Sequence, residues 1–268
     1  MTDDLLVVST CRIVGEYQVA LLTLNRPAER NPINAQVLAT LEDQLSDLVG
    51  DDGPDAIIIT GAGQAFSAGG DLKAYERIYT DRSAFESLLL AWERVCDVLE
   101  TCSALTVAMV NGACVAGGLE LALACDLVTI ADSALMGDGH VRFLQLPGAG
   151  GSQRLIRAIG VARAKQWLLT GRLFTAHEAV AAGLAMASFP ADELEARTLE
   201  LVAKSLSGSR INTRTMKQLI RIAQENELRI GLALEREAVL DYAFKTDEAR
   251  RGLRIFADRP RPHPAGGD

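Results

Sequence analysis

The chain of 268 residues has little of several features that mark particular classes of protein. Aromatic residues make up 5% of it, and histidines number three. Its five cysteines form no C-x-x-C pair, which argues against both a disulfide framework and a zinc site. We therefore expect buried thiols in a reducing compartment and no metal centre. The cysteines are Cys11, Cys96, Cys102, Cys114 and Cys125.

Long apolar runs and an excess of positive charge are also missing. No apolar run approaches the roughly 18 residues of a membrane span, and the first residues carry acid where a signal peptide carries positive charge. These absences predict a cytoplasmic protein without a membrane partner. A net charge of -8 argues against a broad nucleic-acid surface. A small anionic ligand is still compatible with local cations and helix ends.

Short β-branched runs alternate with helical patterns in the first half of the chain, which predicts an α/β core. The runs cover 19–24, 56–60, 106–110 and 127–130. One helix is expected over 34–49, and another over 83–101 with a capping box from Ser83 to Glu86. The first of these helices has five apolar residues on one face, Val37, Leu38, Leu41, Leu45 and Leu48.

After Pro147 the strand signals vanish and helical patterns succeed one another. They cover 152–159, 163–169, 175–182, 192–206, 211–225, 228–244 and 247–256. The sequence thus predicts a core over 1–200 that holds the functional site, a helical region over 201–258 and a disordered tail over 259–268. There is no internal repeat and no low-complexity linker.

Glu120 is a lone carboxylate in a helix that is otherwise apolar on every face. Such a helix should be buried, and a carboxylate removed from water is costly unless it is paired or has a chemical task. Gly117 and Gly118 open the helix without side chains, so unpaired N–H groups and the positive end of the helix dipole face a pocket. An oxyanion could bind there within reach of Glu120.

A second glycine-containing turn follows the strand at 56–60. It fails as a dinucleotide fingerprint because Phe66 stands where the third glycine belongs, and it lacks the Gly-Lys-Ser/Thr of a P-loop. Together the two turns fit the halves of one oxyanion hole, with N–H donors from Ala68 and Gly117. Chemistry on a thioester needs such a pair of donors, because a developing oxyanion must be stabilised.

Structural roles are the alternatives for the same residues. Glu120 could complement the helix dipole, and Gly117 could permit close packing. A lone histidine such as His140 is more often structural than catalytic. Asp138 is expected to be a turn acceptor before a glycine, and Asp71 to cap the following helix.

Four segments in order resemble the crotonase superfamily, the enoyl-CoA hydratases and isomerases, over about 19–262. They are FSAGGDLK (66–73), VNGACVAGGLELALACD (110–126), LPGAGGSQRL (146–155) and GRLFTAHEAVAAGL (171–184). The resemblance implies an α/β superhelix of ββα units with a C-terminal helical region, and assembly as a trimer or a dimer of trimers through 201–258. It also implies an acyl-coenzyme A thioester as substrate, without a separate cofactor or metal.

By position in these motifs, the resemblance implies Ala68 and Gly117 as the oxyanion hole and Glu120 as the first catalytic carboxylate. The turn at 26–31 and the loop at 64–72 are implied to receive coenzyme A. The residues assigned to substrate binding are Arg26, Ala28, Gln64, Ala65, Phe66, Ala68, Gly70, Asp71, Leu72, Lys73 and Gly118.

One position departs from the family pattern. Hydratases place a second glutamate seven residues before the proline of the Pro-Gly-Ala-Gly-Gly motif, and this chain has His140 there. An imidazole has an ordinary pKa of about 6.5 and can transfer a proton near neutral pH. Glu120 and His140 are therefore compatible with hydration, double-bond isomerisation or C–C hydrolysis.

The leading expectation is an enoyl-CoA hydratase-like lyase or isomerase. The alternatives are a hydrolase that cleaves a C–C bond of a β-dicarbonyl compound, and a non-catalytic scaffold that binds acyl-CoA or RNA. The acidic net charge weighs against RNA.

Overall fold

A computed structural model describes residues 7–50, 52–206 and 208–258. The strands are β1 Val7–Val14, β2 Tyr17–Leu24, β3 Ala56–Gly61, β4 Ala65–Ser67, β5 Leu105–Val110, β6 Ala113–Val115, β7 Leu127–Ala131, β8 Leu135–Gly137, β9 Phe174–Thr175 and β10 Ala187–Phe189. The helices are α1 Ala35–Leu48, α2 Leu72–Ile78, α3 Arg82–Thr101, α4 Gly117–Leu123, α5 Gly151–Ile159, α6 Val161–Thr170, α7 Ala176–Ala181, α8 Leu194–Ser205, α9 Arg210–Glu225, α10 Leu228–Lys245 and α11 Glu248–Ala257. Short 3-10 helices cover Pro27–Glu29 and His140–Phe143.

The larger sheet, within the described residues, has six strands in the order β1-β2-β3-β5-β7-β10. β1 and β2 pair antiparallel, and every other neighbouring pair is parallel. All positions of β3 and β5 are buried. Parallel strands that are covered on both faces read as continuous apolar runs, which explains why the sequence signals these strands clearly.

The smaller sheet, over the same residues, has four short strands in the order β4-β6-β8-β9. β4, β6 and β8 pair parallel, and β9 is antiparallel to β8. The chain repeatedly places one strand in the larger sheet, the next in the smaller sheet and then a helix, as in β5-β6-α4. This succession is the predicted superhelix of ββα units.

The first long helix confirms its sequence prediction. The Asn34 side chain accepts a hydrogen bond from the Val37 N–H at 3.0 Å and begins α1, whose buried side chains include Leu38 and Leu41. For α3 the predicted capping box is wrong. Asp81 caps that helix by accepting from the N–H groups of Ser83 and Ala84, so Ser83 lies inside the helix.

Several other predictions need correction. β9 and β10 follow Pro147, in the part of the chain for which the sequence predicts helices alone. The prediction misses them because strands of two or three residues leave no clear periodicity. α8 continues as one helix through the predicted boundary at 200–201 and packs against β5 and β7. The chain divides into two compact units at 207/208. The boundary therefore moves to that point. The predicted tail at 259–268 lies outside the described residues.

Three of the thiols confirm the expectation of burial, those of Cys96, Cys102 and Cys114, whereas Cys11 is exposed. In the described part of the chain, no helix is long and apolar enough to cross a membrane. Among the same residues, no cluster of three or more His, Cys, Asp and Glu side chains is placed to hold a metal ion.

Candidate active site

The strands of the smaller sheet bring the candidate site residues together. Gly70 follows β4, Gly117 follows β6 and His140 follows β8. These three strands are parallel neighbours, so their carboxyl ends meet at one edge of the sheet. In α/β proteins this edge is where ligands commonly bind.

A pocket of about 720 Å³, counting the part that is open to solvent, lies at this edge. We call four of its lining residues, Gly70, Gly117, Glu120 and His140, the catalytic face. Most of the remaining lining is apolar and comes from α2, α3 and the segment 143–149. The pocket thus combines a small polar surface with a large apolar one, as small-molecule sites usually do.

Glu120 lies on α4 with 2% of its surface exposed, as the sequence predicted for this helix. Its Oε1 accepts hydrogen bonds from the N–H groups of Ala149 and Gly151, both at 2.8 Å. Burial raises the pKa of Glu120, although these two N–H groups and His140 act in the opposite direction. Because Oε1 is used in this way, Oε2 is the oxygen that is placed to exchange a proton.

The loop that carries these two donors is fixed by Arg154. The Arg154 guanidinium donates to the carbonyl of Ala149 at 2.7 Å and binds both carboxylate oxygens of Glu100. Gly150 has a φ of +91°, and a Cβ atom on Gly151 would lie 2.9 Å from Cγ of Glu120. The two glycines therefore let the backbone approach the Glu120 carboxylate closely.

His140 begins the 3-10 helix that follows β8, and its side chain faces Glu120. Its Nε2 lies 3.7 Å from Oε2 of Glu120, and its Nδ1 lies 2.9 Å from Oδ2 of Asp138. Burial lowers the pKa of His140, but the hydrogen bond and charge of Asp138, together with the charge of Glu120, outweigh it and raise the pKa overall. Asp138 also accepts from the His140 backbone N–H at 3.2 Å, which is the turn role that the sequence predicted.

The backbone of Gly70 lies close to that of Gly117. A Cβ atom on Gly117 would lie 3.3 Å from the backbone nitrogen of Gly70. The Ile33 N–H donates to the carbonyl of Gly69, and the Asp71 N–H donates to the carbonyl of Ile33. Because the neighbours of Gly70 on both sides make these bonds, its own N–H points away from Ile33. Within the described residues neither the Gly70 nor the Gly117 N–H has an acceptor.

The prediction that Ala68 supplies an oxyanion donor does not fit this geometry. Ala68 lines the pocket, but its N–H already donates to the carbonyl of Arg30 at 2.8 Å. The N–H two residues later, on Gly70, is the one left beside Gly117. A Cβ on Gly70 would come within 2.6 Å of the Tyr75 ring, so glycine here leaves room for that ring.

Ala116, immediately before α4, has a strained backbone with φ of 52° and ψ of -118°. Its N–H donates to the carbonyl of Gly137, and its carbonyl accepts from the Glu120 N–H. Non-glycine residues in such conformations cost roughly 1–3 kcal/mol and persist where surrounding bonds hold them. This turn orients both the Gly117 N–H and the Glu120 side chain.

The residues assigned to coenzyme A are only partly gathered at this pocket. Ala68, Gly70 and Leu72 line it, whereas the exposed Ala28, Gln64 and Lys73 lie outside its lining. The Ala65 and Phe66 side chains are buried in β4, and Gly118 is buried in α4 against Ser67.

The Arg26 guanidinium, also assigned to coenzyme A, is paired with Asp71 at 2.8 Å. Asp71 caps α2 by accepting from the Ala74 N–H, as predicted. Burial opposes ionisation of Asp71, but bonds from Arg26 and Ala74 lower its pKa overall. A phosphate that approached Arg26 would therefore compete with a carboxylate already bound there.

Sequence reasoning missed the aromatic wall of the pocket, which we define as Tyr75, Tyr79, Phe85 and Trp92. The Tyr79 and Phe85 ring centroids are 4.9 Å apart, and Trp92 Nε1 lies 3.4 Å from the Tyr75 hydroxyl. Burial raises the pKa of Tyr75 to about 12, so its hydroxyl stays protonated. The spacing of these residues on two helices signals packing and does not indicate which of them face a pocket.

Several known proteins are similar to this chain over most of its length. The family model described as Enoyl-CoA hydratase/isomerase matches residues 15–266. The chain is 38% identical over 258 residues to "Probable enoyl-CoA hydratase echA8" of Mycobacterium tuberculosis, covering 94% of this chain and 96% of that one. It is 34% identical over 247 residues to "2,3-dehydroadipyl-CoA hydratase" of Escherichia coli, covering 92% and 95%.

A solved structure of an enoyl-CoA hydratase from Bacillus anthracis superposes with a TM-score of 0.87 at 31% identity. The match covers 96% of this chain and 98% of that one. A family match over nearly the whole chain, relatives above 30% identity and a shared fold lead to one conclusion. The chain belongs to the enoyl-CoA hydratase/isomerase family.

Proposed function

We propose that this enzyme adds water to the double bond of an enoyl-CoA thioester. The observation that carries the proposal is the meeting, in one pocket, of a carboxylate, an imidazole and two N–H groups that have no acceptor among the described residues. The N–H groups belong to Gly70 and Gly117, and the carboxylate and imidazole to Glu120 and His140. Thioester addition chemistry needs oxyanion donors and an acid/base pair side by side.

In the proposed reaction, the thioester oxygen accepts hydrogen bonds from Gly70 and Gly117. Glu120 takes a proton from water through Oε2, and the water oxygen bonds to the β-carbon. The electrons of the double bond move toward the thioester, whose oxygen gains negative charge that the two N–H groups stabilise. His140 then gives a proton to the α-carbon. One water is consumed: its hydroxyl group ends on the β-carbon, and the proton that Glu120 took from it replaces the one that His140 gave to the α-carbon.

We further propose that the acyl group lies along the aromatic wall, and that the loop at 64–72 and the turn at 26–31 receive coenzyme A. Trimer formation through α9–α11 also stays a proposal. Its support is the exposed apolar side chains of these helices, which include Leu228, Leu232, Phe244, Leu253 and Phe256. A cytoplasmic location also stays a proposal.

Hydrolysis of a C–C bond in a β-dicarbonyl compound is the second candidate. The observation that favours it is the pairing of His140 with Asp138, since a carboxylate-bound imidazole can act as a base toward water. In that reaction water would attack a carbonyl carbon, and the chain between the two carbonyl groups would break.

A substrate panel distinguishes the candidates. The enzyme is mixed at pH 7 with short, branched and aromatic enoyl-CoA esters and with β-keto-CoA esters. Hydration removes the absorbance of the conjugated thioester and adds the mass of one water. Cleavage of a β-keto-CoA ester into a carboxylic acid and a shorter acyl-CoA, with uptake of one water and without hydration of any enoyl ester, would support the hydrolase instead. Binding of the esters with no turnover anywhere in the panel would indicate a scaffold.

A further inference from the structure

Asp138 contacts His140 in a way that a turn acceptor alone does not require. One carboxylate oxygen accepts from the His140 backbone N–H at 3.2 Å, and the other lies 2.9 Å from Nδ1 of the same residue. Gly139 between them has a φ of +69°, which lets the chain turn back on itself. Both oxygens of Asp138 are thus directed at a single residue.

The burial of Asp138 makes its contact with His140 energetically important. Asp138 has 1% of its surface exposed, and its ion-pair partner among the described residues is His140. A carboxylate that is removed from water is costly unless it is paired and hydrogen-bonded. An ionised Asp138 therefore favours a proton on Nδ1 of His140 and a positive charge on the ring.

The same contact decides which ring nitrogen can react. With Nδ1–H bound to Asp138, Nε2 is the nitrogen left for proton exchange. Nε2 lies 3.7 Å from Oε2 of Glu120, which is too long for a hydrogen bond but close enough for one substrate carbon or one water to contact both atoms.

We propose that Asp138 is a positioning residue that keeps His140 as an imidazolium with Nε2 toward the substrate, so that His140 gives the α-carbon its proton while Glu120 takes one from water. The proposal rests on the proposed hydration and deepens it, because it assigns the acid and the base. After the step, Glu120 carries the proton and His140 is neutral. Transfer of that proton from Oε2 to Nε2 restores both groups.

The titratable groups around this pair act consistently with the assignment. Asp138 and Glu120 are the charged groups that raise the pKa of His140 against its burial. Glu120 faces His140, Asp138 and the half-buried Tyr75, and its own pKa is raised mainly by burial. A base that must be ionised sets the acid limb of activity and an acid that must be protonated sets the alkaline limb, so the raised pKa values of Glu120 and His140 move both limbs to higher pH.

The test is Asp138→Asn, which keeps the shape of the side chain and removes its charge. The alkaline limb of kcat/KM against pH should move to lower pH, because the pKa of His140 falls without the carboxylate. At pH 8 kcat should fall about 10- to 100-fold, the usual range for loss of a supporting carboxylate. KM should change less than about 2-fold, and lowering the pH should restore most of the activity.

A matched control is Asp126→Asn, which removes a carboxylate that accepts from the Thr106 N–H and hydroxyl at 2.7 and 2.8 Å. This variant should lower the melting temperature and leave the pH profile unmoved. If Asp138→Asn behaves in the same way, Asp138 serves the turn alone and the positioning role is refuted.

A second measurement needs no turnover and is made on the wild-type protein. ¹⁵N NMR of the wild-type imidazole rings, with the His140 signal assigned from its loss in His140→Gln, should show His140 still protonated on both nitrogens above pH 6.5. A neutral His140 with its proton on Nε2 at pH 6.5 would overturn the proposal. Failure of every enoyl ester to be hydrated would overturn the proposed function and leave this NMR result to stand separately.

Discussion

The catalytic face and the aromatic wall line one pocket but are held in different ways. On the face, Glu120 accepts two backbone hydrogen bonds at 2.8 Å and His140 is bound by a buried carboxylate. On the wall, ring packing dominates, and Tyr79 is 47% exposed. Hydrogen bonds fix the positions of reacting atoms closely, whereas packed side chains can be exchanged without moving the backbone. We therefore expect the face to determine the reaction and the wall to determine the acyl group.

Replacement of Glu120 by Gln is the strongest test of this division. The change keeps the size of the side chain but removes its ability to take a proton. We expect kcat to fall by about 10²- to 10⁴-fold, the usual contribution of a positioned acid or base, with little change in KM. Stopped-flow absorbance of the enoyl thioester measures both constants.

Glu76→Gln on the exposed surface of α2 is the matched control and should leave kcat unchanged. If Glu120→Gln kept the wild-type kcat, the catalytic face would have no role in the chemistry, and the proposed division of roles between face and wall would be wrong.

Gly117→Ala tests the other part of the face. The new methyl group would lie 3.3 Å from the Gly70 nitrogen and 3.1 Å from the Trp92 ring, and so occupy the space between the two donors. Loss of one oxyanion donor costs about 10²- to 10³-fold in kcat, and we expect a decrease in that range. The melting temperature separates this effect from misfolding, and unchanged kcat in a folded variant would exclude the oxyanion role.

Phe85→Ala enlarges the wall without reaching the face. Changes of one or more methylene groups in an apolar pocket are worth about 1–3 kcal/mol, so KM for a bulky acyl group should rise roughly 10-fold or more. We expect kcat to stay within about 2-fold. Steady-state kinetics on a series of acyl groups checks this, and a fall in kcat at constant KM would contradict the division between face and wall.

Tyr79→Phe should have the smallest effect. It removes the hydroxyl that donates to the side-chain oxygen of Gln145 in a hydrogen bond that is exposed to water. A hydrogen bond that water can replace contributes about 1 kcal/mol or less, so KM should change by no more than roughly 5-fold. A larger change would show that the Tyr79–Gln145 pair limits the length of the acyl group.

The long elements of the fold could be predicted because their burial leaves a pattern. The buried face of α1 and the all-buried strand β3 are clear in the sequence. β4, β6 and β8 have three residues each, too few to show a period, and they lie beside glycine-rich turns. Yet these strands position the site. The sequence therefore indicates which residues belong to the site better than it indicates how they are oriented.

The individual site residues show the same limit. Glu120 was recognisable because a charge in an apolar helix is unusual. The assignment of Ala68 follows from its position in the motif, which does not show that its N–H is already used by the carbonyl of Arg30. The second role of Asp138 depends on the positive φ of Gly139, which brings residues two apart into contact.

The anchoring of one Glu120 oxygen has a stereochemical consequence. Since Oε1 is occupied by Ala149 and Gly151, only Oε2 remains reactive, and it lies 3.7 Å from Nε2 of His140. Under the proposed chemistry, both groups reach a flat enoyl unit from the same side. Oxygen and hydrogen would then add to one face of the double bond, and the product would be a single enantiomer.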